Sequence, residues 1–384
     1  MKLCIVTHTV SRGDGQGRVN YEVVSEAIHR GYSVTLLASS IEPELNQHPQ
    51  ITWVSISVAQ YPTELLRNLI FSKKSASWLR SHQNNFDLIK INGAITDFPA
   101  DLNVAHFIHS TWLKSPAHTI HSNRNIYGLY QWLYSKLNAY WEKHAFQKAN
   151  IVVAVSQTTA NELQNISIPV EKIKTIFNGI DIEEFYPGNP QRSPLKLPEA
   201  VPLGLFVGDI KTPRKNLDTV LQALKQVPDL HLAVAGTTTG SPYPKMAQQL
   251  GIEKRVHFLD YRQDIPTLMQ AADMFIFPSH YETYGLVILE AMASGLPVVT
   301  ASTVGAHSLV SPDCGYVLEN PNDIEKLAAF LQNITKSTDL RQRMSIVARK
   351  VAEKNSWRSM AYQYLSLFEE IVDSRRLKKI SNHL

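Results

Sequence analysis

The feature that most constrains the fold of this chain is a regular alternation of short apolar runs and longer amphipathic segments. The first half contains the runs KLCIV, SVTLLA, FDLIKI, VAHFI and IVVAV, and the second half contains LGLFVG, LHLAVAG, RVHFL, MFIFP and LPVVT. Nearly continuous apolar runs of this length are typical of strands buried on both faces of a parallel sheet. Segments between the runs, such as 18–30, 62–80 and 126–148, have helical periodicity. The pattern predicts two successive doubly wound α/β domains.

A proline-rich stretch separates the two series of runs. Residues 179–202 hold five prolines and two glycines and have no strand or helix period, which is typical of an interdomain linker. We therefore predict an N-terminal domain at 1–180 and a C-terminal domain at 181–359. The apolar stripe of the last segment predicts a terminal helix at about 360–384.

Charge and cysteine content exclude several classes of protein. The net charge is +4 over 384 residues, which is far from that of a nucleic-acid-binding domain, so no nucleic-acid partner is expected. The two distant cysteines favour a reducing compartment, and we expect a cytoplasmic protein without a signal peptide or a membrane-spanning segment. Residues 51–150 carry ten Lys/Arg against five Asp/Glu. The apolar and basic segment 62–80 is therefore either a helix that contacts an anionic membrane surface or an ordinary amphipathic helix.

Glycines follow the first predicted strand. Gly13, Gly15 and Gly17 precede the first predicted helix, where backbone N–H groups and the helix dipole can approach an anion. The spacing is G-x-G-x-G and departs from the dinucleotide-binding G-x-G-x-x-G pattern, which disfavours an NAD site. A turn with a purely structural role is the alternative.

Basic residues follow the first strand of the second series. Lys211, Arg214 and Lys215 lie between Gly208 and a predicted helix. Cations at a helix N-terminus oppose the local dipole, and a diphosphate would relieve this repulsion. Taken alone the signal is weak, because basic triplets are common on protein surfaces.

The segment FPSHYETYGLVILEAMASGLPVVT carries the strongest signal. A strand ends near residue 278, Glu282 lies in the loop that follows, and a helix is predicted to begin near Gly285. The first helical N–H groups, at Gly285, Leu286 and Val287, lack intrahelical partners and can bind phosphate oxygens. Glu290 lies deeper in an apolar helix, where a carboxylate is costly without a partner. The segment offers successive contacts to a sugar, a diphosphate and a ribose.

At these residues the chain resembles the family 4 glycosyltransferases (glycosyl transferases group 1), which are retaining enzymes of the GT-B fold. Glu282 and Glu290 match the family's E-x7-E motif, and the resemblance covers nearly the whole chain. It implies two facing Rossmann-like domains with a cleft between them, and a C-terminal helix that packs back on the N-terminal domain. It also implies that Glu290 holds the nucleotide ribose, that Glu282 contacts the donor sugar, and that the amides of residues 285–287 hold the diphosphate.

Other blocks add residues to the implied site. HFIHST resembles the stretch that carries a histidine near the donor sugar, which we assign to His109 with His106 as the competitor. RKN resembles the family's basic pair, so Arg214 and Lys215 are expected at the diphosphate. Gly15 and Gly17 match the family's N-terminal glycine loop.

One residue departs from the family pattern. Many relatives have Gly-Arg after the first strand of the second domain, whereas Asp209 follows Gly208 in this chain. The departure removes one expected phosphate contact, and Lys211 is a candidate to replace it.

The resemblance implies transfer of a sugar, with retention, from a nucleotide-diphosphate-sugar to a hydroxyl acceptor such as a glycan, lipopolysaccharide or lipid-linked sugar. A UDP-sugar is the expected donor, and neither a metal nor another cofactor is expected. Peripheral contact with the inner face of the membrane through the N-terminal domain remains open. Two alternatives also remain open: a degenerate, non-catalytic partner subunit, and another GT-B enzyme such as an epimerase or a sugar-phosphate synthase.

Overall fold

A computed structural model describes residues 1–13, 15–122 and 125–381 of the chain. It divides into two compact units. The first comprises Met1–Gly179 together with the C-terminal segment from Trp357, and the second comprises Ile180–Ser356.

The first unit alternates strands and helices through its length. Its elements are β1 (Lys2–Val6), β2 (Thr9–Val10), α1 (Gly15–His29), β3 (Ser33–Ala38), β4 (Ser40–Ile41), α2 (Pro43–Asn46), β5 (Ile51–Ser55), α3 (Glu64–His82), β6 (Leu88–Asn92), β7 (Leu102–Ala105), α4 (His109–Lys114), α5 (Thr119–Ser122), α6 (Ile126–Lys148), β8 (Ile151–Ala154), α7 (Gln157–Asn165) and β9 (Ile173–Thr175).

The main sheet of the first unit is parallel. Within the described residues its strand order is β5-β3-β1-β6-β7-β8-β9, and β2 and β4 form a separate short pair. The order reverses between β1 and β6, whose register pairs Leu3 with Leu88. Ligands bind open α/β sheets at the carboxyl ends of the strands where this reversal occurs. The loops after β1 and β6 are therefore where a ligand site of this unit is expected.

The second unit repeats this architecture. Its elements are β10 (Leu203–Val207), α8 (Leu217–Lys225), β11 (His231–Ala235), α9 (Tyr243–Gln249), β12 (Val256–Phe258), α10 (Ile265–Ala271), β13 (Met274–Phe277), α11 (Leu286–Ala293), β14 (Val298–Ala301), β15 (Gly315–Leu318), α12 (Ile324–Lys336) and α13 (Thr338–Lys354). The described strands form one parallel sheet in the order β12-β11-β10-β13-β14-β15. The reversal lies between β10 and β13, and the phenylalanines of these two strands, Phe206, Phe275 and Phe277, are fully buried.

The C-terminal helix α14 (Trp357–Ser381) belongs to the first unit and packs against α1. Tyr364 and Phe368 are buried. Glu369 accepts hydrogen bonds from Arg30 at 3.0 Å and from the Tyr32 hydroxyl at 2.5 Å. Apolar burial and this polar contact together hold the helix to the first unit. The predicted end of the helix, 382–384, lies outside the described residues.

Several boundaries differ from the sequence predictions. The run VAHFI was predicted as a strand, but β7 covers Leu102–Ala105 and a loop follows it. The strand ends early because α4 begins at His109. Helix α1 begins at Gly15, so Gly15 and Gly17 lie in its first turn rather than in a loop before it. Among the described residues, no helix is long and apolar enough to cross a bilayer.

Candidate functional site

The loop after β13 is fixed by the neighbouring loop after β14. The Glu282 N–H donates to the Thr303 carbonyl at 3.2 Å, and the Gly305 N–H donates to the Glu282 carbonyl at 2.8 Å. The Thr303 hydroxyl also donates to the Ser279 carbonyl at 2.6 Å. Both the N–H and the carbonyl of Glu282 are therefore hydrogen-bonded to the loop after β14, which fixes the backbone position from which its carboxylate extends.

That carboxylate faces the basic pair identified in the sequence. Lys215 Nζ donates a hydrogen bond to Glu282 Oε1, and Arg214 Nη1 lies 3.7 Å from the same oxygen. The side chains of Lys215 and Glu282 are mostly buried. Burial lowers the pKa of Lys215, while the charge of Glu282 opposes this effect. The structure thus brings Arg214, Lys215 and Glu282 together as one charged cluster.

Asn216 fixes the position of the basic pair. It is fully buried and has a left-handed conformation with φ 63°. Its side-chain amide donates to the carbonyls of Pro278 at 2.9 Å and Pro321 at 2.8 Å. The Arg214 carbonyl in turn accepts from the N–H of His280 at 2.9 Å. These bonds tie the segment that carries the basic pair to the end of β13.

Gly285 caps the N-terminus of α11 in a conformation that other residues rarely adopt. Its φ is +86°, and a Cβ atom built there would lie 2.8 Å from Val304 Cγ1. Glycine meets both constraints, because it lacks a Cβ and tolerates positive φ. The N-terminal N–H groups of α11, at Leu286 and Val287, follow directly after this residue. They follow Glu282 closely in sequence, and the first N–H groups of a helix can bind an anion.

Glu290 lies in the second turn of α11. Burial raises the pKa of its carboxyl group to about 7, and the charge of Glu184 adds to the shift. None of the described residues donates a hydrogen bond to this carboxyl group or forms an ion pair with it. A partly buried carboxylate without a protein partner is costly, and a ligand with hydroxyl donors would satisfy it.

Asp209 takes a structural role in the loop after β10. Its side chain accepts from the Lys211 N–H at 2.9 Å and from the Thr212 hydroxyl at 3.3 Å. Both Asp209 and Lys211 are exposed. The residue that departs from the family pattern therefore stabilises its own turn. In the part of the chain that the structure describes, the Lys211 side chain forms no hydrogen bond or ion pair with the cluster around Glu282.

In the first unit, His109 is held by a carboxylate. Glu142 of α6 accepts from His109 Nδ1 at 2.5 Å through Oε1 and from the His109 backbone N–H at 2.9 Å through Oε2. Glu142 is buried, and its two bonds fix both the ring and the start of α4. The other ring nitrogen, Nε2, makes no hydrogen bond within the described part of the chain.

His109 lines a cavity of about 260 Å³ at the carboxyl edge of the first sheet. His106, the competing histidine, lines the same cavity, and its buried Nε2 has no hydrogen-bond partner among the described residues. Burial, with a smaller effect from the charge of Lys90, lowers the pKa of His106 to about 3. His106 is therefore neutral at physiological pH, whereas His109 is bonded to a carboxylate.

The glycine segment borders the same cavity through Gln16, which lies between Gly15 and Gly17. The side chain of buried Asn20 donates to the Gln16 carbonyl at 3.1 Å. Asn20 also accepts from Lys90, whose pKa burial lowers to about 7. This network fixes the first turn of α1. The structure places Gly15 and Gly17 in the first unit, with His109, and the remaining predicted site residues in the second.

Sequence reasoning missed two residues of these arrangements, Asn216 and Glu142. Asn216 is the last residue of the RKN motif, but the sequence alone predicted no role for it. Glu142 is the single acidic residue of α6, and a lone carboxylate in an aromatic-rich helix is a signal that could have been followed. No group of three or more His, Cys, Asp or Glu side chains suited to a metal ion occurs in the part of the chain that the structure describes.

Two family models match the chain. One, described as "Glycosyltransferase Family 4", matches residues 13–184, and the other, "Glycosyl transferases group 1", matches residues 189–351. Together they span both units. The chain belongs to the group 1 (family 4) glycosyltransferases. Both units of this glycosyltransferase have the Rossmann-like topology of the GT-B fold.

A relative of known name is similar over part of this glycosyltransferase. The D-inositol 3-phosphate glycosyltransferase of Mycobacterium marinum is 30% identical over 244 residues, which are 60% of this chain and 52% of the relative. The chain therefore matches about half the length of that protein.

Solved structures show the same fold. WaaG, described as a glycosyltransferase involved in lipopolysaccharide biosynthesis, has a TM-score of 0.73 and 22% identity, with 95% of this chain and 99% of that chain covered. Anabaena Alr3699/HepE, crystallised with UDP and glucose, has a TM-score of 0.71 and 21% identity, with 96% and 100% covered.

Proposed function

We propose that this protein is a retaining glycosyltransferase that moves a sugar from a UDP-sugar to a hydroxyl group of a glycan, lipopolysaccharide or lipid-linked acceptor. The observation that carries the proposal is the cluster at the start of α11. Lys215 and Arg214 lie beside Glu282 there, and Glu290 follows in the same segment with no protein partner among the described residues.

The donor would be bound by the second unit. Its diphosphate would accept hydrogen bonds from the first N–H groups of α11 and from Lys215 and Arg214, because anions are stabilised at helix N-termini and by buried cations. Lys215 has three N–H donors, so it can hold Glu282 and a phosphate oxygen together. Glu290 would accept from the ribose hydroxyls, and Glu282 from hydroxyls of the transferred sugar.

The reaction would need no protein nucleophile. The bond between the anomeric carbon and the phosphate oxygen breaks, and the acceptor oxygen bonds to the same carbon on the same face. The acceptor proton passes to an oxygen of the departing diphosphate, so atoms and charge balance. Lys215, Arg214 and the helix N-terminus would stabilise the negative charge that develops on the leaving group.

The first unit would bind the acceptor. Its cavity of about 260 Å³ shares Asn68 and Ala94 with a second cavity of about 390 Å³ that includes Tyr140 and Trp141 in its wall. Aromatic and amide side chains suit sugar faces and hydroxyls. His109 would bind the sugar being transferred through Nε2, since Glu142 occupies Nδ1. The first-turn amides of α1, around Gly15 and Gly17, would face anionic parts of the substrates.

Several parts of the proposal draw on relatives. HepE was crystallised with UDP, which supports UDP as the nucleotide part of the donor of this protein. WaaG is involved in lipopolysaccharide biosynthesis, which supports a glycan or lipid-linked acceptor. We propose that no metal or other cofactor is required, because Arg214, Lys215 and the helix N-terminus can meet the phosphate charge. We also propose a cytoplasmic protein that contacts the inner face of the membrane peripherally.

Thermal unfolding with a panel of nucleotides tests this proposal. UDP, GDP, ADP and dTDP, and their sugar conjugates, are each added with and without EDTA. A ligand at about 100 times its dissociation constant stabilises the folded state by about 2.7 kcal/mol. We expect stabilisation by UDP and a UDP-sugar that EDTA does not remove, and an α-configured product from an α-configured donor in an acceptor screen followed by NMR.

Two outcomes would contradict the proposal. No stabilisation by any nucleotide in a cooperatively folding sample would favour a non-catalytic partner subunit. Consumption of the donor sugar nucleotide at the same rate without an acceptor, with a rearranged nucleotide as product, would favour an epimerase instead.

A further inference from the structure

A cavity of about 390 Å³ lies between helices α3 and α6 of the first unit. Residues 68, 69, 72 and 73 of α3 line one side, and residues 140, 141, 144, 145 and 148 of α6 line the other. The loop after β6 forms the remaining wall, and β6 is one of the two strands between which the order of the sheet reverses. The cavity therefore lies at the edge of the sheet where ligands bind.

The packing of α3 accounts for one wall of this cavity. The sequence left the segment 62–80 open between a membrane-binding helix and an ordinary amphipathic helix. In the structure, Phe71 and Leu79 are buried in the core of the first unit, so the apolar side of α3 is used in packing. Asn68 and Lys73 line the cavity instead. The composition of α3 is that of an ordinary amphipathic helix with a polar side toward a cavity.

This larger cavity adjoins the smaller cavity of about 260 Å³ that His109 lines. Asn68 and Ala94 line both cavities. The side-chain amide of Asn68 donates a hydrogen bond to the Tyr134 hydroxyl at 3.1 Å, which fixes the amide where the cavities meet. Two linked units of one ligand can therefore occupy the two cavities, with Asn68 beside the link.

Each of the two cavities has a buried polar atom in its wall that no described residue satisfies. Thr96 lines the larger cavity and is 4% exposed, and its Oγ1 forms no hydrogen bond within the described residues. Nε2 of His106 is the corresponding atom in the smaller cavity. A buried polar atom without a partner is costly, and sugar hydroxyls both donate and accept hydrogen bonds. Both cavities thus offer an unmet hydrogen bond to a saccharide.

Helix α6 gives the larger cavity an aromatic surface and a histidine with a defined tautomer. The ring centres of Tyr140 and His144 lie 4.2 Å apart, and His144 Nδ1 lies 2.8 Å from the Tyr140 carbonyl oxygen. Because a carbonyl only accepts, Nδ1 carries the proton, and Nε2 of the neutral ring can accept from a ligand hydroxyl. Trp141 lines the same wall. Aromatic side chains with a few placed polar groups are typical of small-molecule sites.

The unpaired charge in the wall of the larger cavity is positive. Asp97, the acidic residue among the described lining residues, lies 2.7 Å from Lys148 Nζ, so these two charges compensate each other. Lys73, on the opposite helix, is exposed and forms no ion pair in the part of the chain that the structure describes. A ligand with an anionic group beside Lys73 would form a charge-assisted hydrogen bond that a neutral ligand cannot form.

We propose that the acceptor is an oligosaccharide whose terminal sugar occupies the smaller cavity and whose preceding sugar, which carries an anionic substituent, occupies the larger one. Lys73 pairs with the substituent, while Thr96 Oγ1 and His144 Nε2 bond to hydroxyls of the preceding sugar. Tyr140 packs against the apolar face of that sugar, and Asn68 lies beside the glycosidic link. The inference rests on the proposed function, because it names the class of acceptor for a glycosyltransferase.

NMR titration of the full-length protein with small saccharides, without a nucleotide sugar, tests this inference. The probes are maltose and lactose, their 1-phosphates, and their derivatives with the reducing sugar oxidised to a uronic acid. Glucose 1-phosphate and glucuronic acid are the monosaccharide controls. We expect at least one anionic disaccharide to bind about tenfold more tightly than its neutral parent and than the matching monosaccharide. A preference for the 1-phosphates identifies the substituent as a phosphate, and a preference for the uronic acids identifies it as a carboxylate.

The variant Lys73→Gln tests the charge in the wall. It should abolish the tenfold preference for the anionic disaccharide and leave the binding of the neutral parent unchanged. Lys74→Gln is the matched control, because Lys74 is exposed and lies next in sequence but does not line the cavity. Lys74→Gln should keep the preference of the wild type.

The variant Thr96→Val tests the buried hydroxyl group with little change in side-chain volume. It should weaken binding of the anionic disaccharide about fivefold, because one hydrogen bond to the ligand is lost. It should not lower the melting temperature, because the hydroxyl that it removes has no partner among the described residues. Thr52→Val, at an exposed position of β5, is the matched control and should bind like the wild type.

Three outcomes overturn the inference. The first is that no anionic disaccharide binds more tightly than its neutral parent. The second is that the anionic monosaccharides bind as tightly as the disaccharides, because a second sugar then contributes nothing. The third is an equal loss of binding in Lys73→Gln and Lys74→Gln, which would indicate attraction to the general charge of the surface.

Stabilisation by UDP, measured in parallel, reports separately on the proposed donor site. Failure of the saccharide panel in a protein that UDP stabilises overturns the inference about the acceptor alone. Saccharide binding with the expected dependence on Lys73 and Thr96, in a protein that no nucleotide stabilises, supports the two cavities as a saccharide site and contradicts the proposed transferase activity.

Discussion

The ammonium group of Lys215 donates a hydrogen bond to the carboxylate of Glu282, 67 residues further along the chain. The two residues come from the loops after β10 and β13, the strands between which the order of the second sheet reverses. The pair therefore lies where an open α/β sheet binds its ligands. Holding the carboxylate and the cation together before a donor arrives reduces the reorganisation that binding and reaction require.

Replacement of Lys215 by alanine should lower kcat by at least about tenfold, because one stabilising cation at the leaving diphosphate is worth several kcal/mol in the transition state. It should also weaken UDP binding, which isothermal calorimetry measures. Lys225→Ala removes the same charge from an exposed position in the last turn of α8 and should leave both quantities unchanged. Near-normal turnover in a well-folded Lys215→Ala protein would remove Lys215 from the site.

The carboxyl group of Glu290 should make stability depend on pH. Its folded-state pKa is raised from 4.5 to about 7, so the folded state binds more protons than the unfolded chain between these values. The carboxyl group therefore lowers the free energy of unfolding as the pH rises from 4.5, and this destabilisation reaches its full size above pH 7. Glu290→Gln, which stays neutral, should raise the melting temperature at pH 8 by about 2–4 °C and leave it unchanged near pH 4.5.

The same variant separates stability from binding. Because the amide cannot accept ribose hydroxyls as strongly as the carboxylate, Glu290→Gln should lose stabilisation by UDP while gaining intrinsic stability. Differential scanning fluorimetry at both pH values, with and without UDP, measures the two effects. Equal melting temperatures of the wild type and Glu290→Gln at pH 8 would show that the ionised carboxyl group of Glu290 does not destabilise the folded state.

The central strands were predictable because both of their faces are buried. All four inner residues of β1, Leu3 to Val6, are fully buried, and this produces the continuous apolar run seen in the sequence. Apart from β2 and β4, which form a separate short pair, the described strands that the sequence did not reveal are edges of the two main sheets. β5 and β15 each pair with one neighbour and are half-buried, so their sequences mix polar and apolar residues without a clear period.

The site was predictable only where it is local in sequence. Glu282, Gly285 and Glu290 belong to one strand–loop–helix, and their spacing alone places them together. Two other contacts depend on how the sheet folds. Lys215 bonds to Glu282, and Asn216 donates a hydrogen bond to the Pro321 carbonyl, 105 residues away in sequence. The orientation of His109 by Glu142 depends in the same way on the packing of α4 against α6.

Glu142 should act as a positioning residue for His109. Glu142→Gln keeps an acceptor for only one of the two hydrogen bonds from His109, so the ring loses part of its fixed orientation and kcat should fall about tenfold. The KM for the donor should change less than kcat, because the contacts proposed for the diphosphate and the ribose are all made by the second unit. Glu171→Gln, at an exposed position of the first unit, is the matched control.

A purely structural role for Glu142 predicts something different. In that case Glu142→Gln would lower the melting temperature while kcat, measured well below that temperature, stayed that of the wild type. Steady-state kinetics that separate kcat from KM, with thermal unfolding of the same samples, distinguish these results.

Gly285→Ala should damage the donor site through the backbone. Alanine at φ +86° costs about 1–2 kcal/mol, and its Cβ would lie 2.8 Å from Val304 Cγ1. Since Val304 is fully buried, the start of α11 must shift, and the amides of Leu286 and Val287 shift with it. We expect weaker UDP binding by calorimetry and a lower melting temperature. Val304→Ala in the same chain removes the methyl group that clashes but not the positive φ, so the double variant should recover part of the UDP affinity. If the double variant binds UDP no better than Gly285→Ala, the contact with Val304 is not what displaces the helix N-terminus.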